Sequence, residues 1–115
     1  MGTIEQRGAP RLRTRLPIPV IDTMTDQILG QLGNLSATGM MLIGGRAPNS
    51  AAVYQVSVSL PGADGTMLLV GIQEQWNEPA TTLGQTWSGY RIVAINNRDA
   101  AQLDRWLEHA ASSEY

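Results

Sequence analysis

A chain of 115 residues, 43% hydrophobic and 16% charged, has room for one compact domain and not two. No apolar run approaches the roughly 20 residues of a membrane span, and the N-terminus lacks the basic-then-apolar order of a signal peptide, so a cytoplasmic protein is expected. Absent cysteine excludes a disulfide framework and thiolate chemistry, and a single histidine, His109, argues against a histidine metal site.

The net charge of -2 is unevenly spread. Every basic residue is Arg, and Arg7, Arg11, Arg13 and Arg15 fall within nine positions. Residues 1–15 carry four Arg against one acid, while the rest carries four Arg against nine acids. Arg suits planar, bidentate contact with a phosphate or a guanine edge, so this end of an acidic domain is a candidate anion-binding segment.

Residues 1–6 read as a flexible lead, residues 7–111 as the domain and residues 112–115 as a tail. Residues 16–21 form a strand that Pro17 and Pro19 restrict to a sheet edge or a strand start. A polar interval from Asp26 leads to a second strand, residues 28–33, running into Asn34. Residues 38–43 are a third, closed by a Gly/Pro loop over 44–50. Residues 53–60 alternate with period two, 61–65 turn, and 66–76 return as a hairpin. After a loop over 77–85, residues 86–95 form the sixth strand. The period then changes: Asn96 or Asn97 can cap a helix in which Ala100, Leu103, Trp106, Leu107 and Ala110 share a face. An all-β fold is predicted, a six-stranded antiparallel β-barrel plus one C-terminal α-helix that closes an opening or packs on a flank. Its core must come from Leu, Ile, Val, Met and three Trp, since Phe is absent.

Asn34-Leu35-Ser36-Ala37-Thr38-Gly39 places a carboxamide, a hydroxyl and a glycine at i, i+2 and i+5. On an extended chain Asn34 and Ser36 would face the same way, side by side. Asn carries donors and an acceptor and can read the mixed edge of a nucleobase, and Gly39 allows a sharp turn or a close approach. The plainer reading is an Asx-turn between two strands.

RGAPR (residues 7–11) followed by NLSATG (residues 34–39), in this order and on this architecture, resembles the PilZ domain. The Leu16-Pro17 pair, Trp76 at a strand end and Gly89-Tyr90-Arg91-Ile92 before the helix are similar to it as well. The resemblance covers residues 5–110. It implies a bacterial receptor for the second messenger cyclic di-GMP, with Arg7 and Arg11 clamping guanine edges and phosphates, Asn34 and Ser36 contacting a guanine, and Gly39 leaving room. No cofactor is implied. Asn34 stands where the family more commonly has Asp, which would accept from the guanine N1–H and N2–H better than a neutral carboxamide does. Gln6 stands where members that take a stacked pair of ligands have another Arg, which implies one ligand per chain.

A second register, Arg11-Leu12-Arg13-Thr14-Arg15, also spells Arg-x-x-x-Arg. With the first register, Arg13 and Arg15 are solvated strand charges or extra phosphate contacts. Arg91 is a further candidate contact. Trp76 or Trp87 could stack on a guanine, although Trp in a small barrel more often fills the core. His109 suits the helix C-terminus, and Asp99 and Asp104 with Arg98 and Arg105 read as a solvated helix face. No nucleophile–base pair or paired carboxylates emerge, so a non-enzyme is expected. The expectation is a monomeric or weakly dimeric adaptor whose Arg segment orders on the ligand and signals to a downstream protein. Two other classes remain: a PilZ-type adaptor that binds no nucleotide, for example in pilus assembly or motility, and a nucleic-acid arm on a barrel. The acidic body counts against the arm.

Overall fold

The structure, a computed structural model, describes residues 12–13, 18–44, 51–61 and 67–112; nothing is described of the side chains of 12, 13 and 110–112. Among the described residues seven strands precede one helix: β1 (Leu12–Arg13), β2 (Pro19–Asp22), β3 (Gln27–Leu35), β4 (Gly39–Gly44), β5 (Val53–Ser59), β6 (Met67–Pro79), β7 (Thr86–Ile95) and α1 (Asn97–Ser112). β3 is long enough to pair with β2 along residues 27–31 and with β4 along residues 31–35. The sheet therefore closes on itself in the order β3-β2-β5-β6-β7-β4, antiparallel throughout, and β1 adds to β3 through Leu12↔Leu35 and Arg13↔Asn34. This is the six-stranded barrel expected, with one short strand in addition.

Alternation builds the interior. Val56 and Val58 of β5, Leu68, Val70 and Ile72 of β6, and Met40 and Leu42 of β4 are all buried, with the polar Ser57 and the exposed Leu69 among the residues between them. Pro19 opens β2 opposite Gln31, the one strand position where a missing N–H is least disruptive. The turn that follows, residues 23–26, holds Asp26 at φ 62°, and the Asp22 carboxylate accepts the Met24 N–H at 2.9 Å. Residues 14–17, 45–50 and 62–66, which include Leu16, Pro17 and most of two expected loops, lie outside the described residues.

α1 begins with Asn96 as its cap: Asn96 Oδ1 accepts the Asp99 N–H at 2.7 Å. Leu103 enters the core, Trp106 and Leu107 pack against it, and Trp106 Nε1 donates to the Pro61 carbonyl at 2.9 Å. One expectation is corrected. Asp99 does not belong to a solvated helix face; it is buried and accepts the Leu69 amide at 3.1 Å and Asn96 Nδ2 at 3.3 Å. The reason is register: β7 ends at Ile95 opposite Val70, so on the β7 side the Leu69 amide lies beyond the last paired residue, and the helix start supplies an acceptor.

Candidate functional site

The NLSATG stretch is the connection between β3 and β4. Ser36 has left the strand, and its hydroxyl, fully buried, accepts the Thr38 and Gly39 amides at 3.2 Å each. Its amide donates to the Gly39 carbonyl at 2.9 Å, and the Thr38 carbonyl accepts the Ile92 amide of β7 at 2.8 Å. The expected side-by-side display of Asn34 and Ser36 is therefore not what forms. A hydroxyl can satisfy two adjacent amides across a tight turn only by pointing into it, and Ser36 does so. Asn34 remains on β3, half-buried, with Nδ2 at 3.9 Å from Met41 Sδ.

Two β-bulges decide what stands around Asn34. Along β3, Leu32 opposes Leu42 but Asn34 opposes Met41, so Gly33 is an extra residue. Along β6, Glu74 opposes Tyr90 but Trp76 opposes Gly89, so Gln75 is extra. Counted by twos from the buried Leu32 and Ile72, both Asn34 and Trp76 would point inward; each bulge turns its residue to the outer face. Met41 opposes Gly89 in turn. One outward row thus runs Asn34, Met41, Gly89, Trp76, and at its Asn34 end β1 adds the backbone of Arg13.

Glycine at 89 is what lets the row lie flat. A Cβ there would fall inside the indole of Trp76, whose Cζ2 would be only 2.7 Å away. Trp76 covers that strand and stays 45% exposed, so the core-filling alternative does not hold for it. Trp87 is half-buried, its Cζ3 near Gly33. In the adjacent row Gly39 opposes Arg91, which is exposed, and Arg91 opposes Gln73.

Behind the Trp76 bulge the inner face is polar. Glu74 is buried and accepts the Ala51 amide at 2.7 Å through Oε1 and Asn77 Nδ2 at 2.9 Å through Oε2. Tyr90 is buried beside it, with the Tyr54 ring edge-on at 6.2 Å. Burial pushes the Tyr90 phenol up to about 12, opposed by a hydrogen bond with Ser88 and reinforced by Tyr54 and Glu74. Glu74 was not singled out from the sequence, although its place two residues after Ile72, itself two after Val70, marked a carboxylate on the core side of a strand.

No protein-family model matches the sequence, and no curated protein matches it either. Solved structures do match the fold. The Bacillus subtilis inhibitor of motility (MotI/DgrA) aligns at a TM-score of 0.76 with 14% identity, over 97% of this chain and 54% of that one. YcgR from Escherichia coli in complex with c-di-GMP aligns at 0.72 with 18% identity, over 96% and 50%. The PilZ domain of YcgR with c-di-GMP aligns at 0.62 with 16% identity, over 96% and 98%. The fold is PilZ-like.

This chain spans about half the length of the first two matched proteins and nearly all of the isolated PilZ domain. In the PilZ-like barrel described here, Asn34, Trp76, Gly39 and Arg91 gather on one outer face, and Ser36 shapes the turn beside them. Gln6, Arg7, Arg11 and Arg15 lie outside the described residues, and Arg13 is described as backbone only. Among the described residues no group of three His, Asp or Glu could hold a metal ion, and no helix is long and apolar enough to cross a membrane.

Proposed function

We propose that this chain is a cyclic di-GMP receptor that holds its ligand on the outer face of the barrel. The observation that carries the reading is the single row Asn34–Met41–Gly89–Trp76, with the arginine-bearing β1 paired along its Asn34 end. Two of the structures with this fold are complexes with c-di-GMP, which supports the ligand class.

The ligand has two guanines and two phosphates. Trp76 offers an exposed π-face to one guanine, worth roughly 1–3 kcal/mol per stacked base. Asn34 offers a carboxamide to a guanine edge, its carbonyl accepting from N1–H or N2–H. Arg7 and Arg11, joined to β1 through Leu12, clamp the O6/N7 edge and the phosphates, and Arg91 adds a guanidinium from the adjacent row. Ser36 and Gly39 keep the turn that presents Asn34. Binding fastens the Arg segment to the barrel and changes the surface that a downstream protein reads. No residue here is assigned a catalytic role.

Calorimetric titration of cyclic di-GMP into wild type and Arg11→Ala, with GTP as control, tests the reading. Micromolar or tighter binding that the substitution abolishes is the expected result, together with slower proteolysis near Arg7 when ligand is present. Binding that survives Arg11→Ala moves the clamp to Arg13 and Arg15 or to another site. Absence of binding by wild type overturns the receptor and leaves a PilZ-type protein adaptor.

A further inference from the structure

The bulge that places Trp76 outward has a competitor one residue away. If Gln75 were absorbed into regular pairing it would oppose Gly89, and Trp76 would move opposite Ser88, on the inner side of the sheet. Side-chain packing alone gives Trp76 an outer seat, because Gly89 without a Cβ lies beneath it, but does not remove that alternative.

We infer that Glu74 is the positioning residue for Trp76, acting through Asn77. The two lie on either side of the bulge, three residues apart, and the 2.9 Å bond from Asn77 Nδ2 to Glu74 Oε2 ties its ends together. The other carboxylate oxygen is held by the Ala51 amide at 2.7 Å, and the Glu74 amide donates to the Ala52 carbonyl at 2.9 Å. The carboxylate is therefore anchored to the two residues just before β5 and cannot drift with Asn77; it acts as a fixed post. In the slipped register Asn77 would move opposite Trp87, on the other face, and the tie could not form. Glu74 is thus a determinant of the binding face without touching a ligand on it. This rests on the proposed function only where binding is concerned; the placement of Trp76 stands apart from it.

The experiment uses the full chain labelled with 5-fluorotryptophan, whose three 19F resonances are assigned by Trp76→Phe and Trp87→Phe. Asn77 is exposed, so Asn77→Ala breaks the tie while the barrel stays folded. The expected result is a shifted or broadened Trp76 resonance, an unchanged Trp106 resonance, and cyclic di-GMP binding weakened roughly tenfold, as for loss of one stacked base. The pair Glu74→Gln with Asn77→Asp reverses donor and acceptor across the bulge while keeping an oxygen for the Ala51 amide, and it should return the Trp76 resonance to its original place. A Trp76 resonance that Asn77→Ala leaves unmoved, that moves together with Trp106, or that the reversed pair fails to return overturns the inference. If wild type binds no cyclic di-GMP, the receptor reading fails, and the fluorine signals still decide the role of Glu74.

Discussion

Burial of the Tyr90 phenol raises its pKa from the usual 10 to about 12, so the native state keeps a proton that the unfolded chain releases first. The contribution of the neutral phenol is whole below pH 10 and is lost as pH rises from 10 towards 12, by about 3 kcal/mol. Urea unfolding of wild type and Tyr90→Phe at pH 8 and pH 11 reads this directly. The gap between the two proteins should narrow or reverse at pH 11; a gap independent of pH would show that the ring tolerates ionisation where it sits. Because Tyr90 opposes Glu74 beneath the Trp76 bulge, the same alkaline range should loosen the outer face around Trp76.

At the scale of elements, α1 is tied to the barrel by a buried carboxylate as well as by its apolar stripe. Asp99→Ala removes the acceptor of the Leu69 amide and the partner of Asn96 Nδ2, leaving a backbone N–H without its partner. A loss of about 2 kcal/mol in urea unfolding is expected, against less than about 0.5 for Asp104→Ala on the exposed face. The contrast also shows where sequence reading stops. Leu103, Trp106 and Leu107 announce a helix by their spacing, and the six strands by alternation and by Gly and Pro between them. Asp99 looks like any first-turn acid until the ends of β6 and β7 are known. The PilZ resemblance singles out Asn34 as an expected ligand contact but not the direction of its side chain, which the bulge at Gly33 decides. The same holds for Trp76, whose outward seat needs Gln75 to be extra, while every residue from Gln73 to Glu78 is polar or aromatic and fits either face. Ser36 follows the plainer reading, a turn between two strands, because β3 ends one residue before it.

The molecule as a whole is one closed ring of strands with Leu103 of the helix inside its core. Removing any wall opens the rest, so heat should unfold it in a single step. Far-UV circular dichroism, which follows the sheet, and the 19F signal of Trp106, which follows the helix, should report the same midpoint; an earlier Trp106 transition would mean that the helix undocks alone. The ring also fixes its outer chemistry by pairing across strands and not by counting along the chain. A lineage that lost the codon for Gln75 or for Gly33 would keep Trp76 opposite Gly89 and Asn34 opposite Met41, since each bulge exists to absorb that one residue. Two such proteins could share an outer face while their motifs stood at different spacings, and kinship between them would be visible in strand partners long after it had faded from aligned letters.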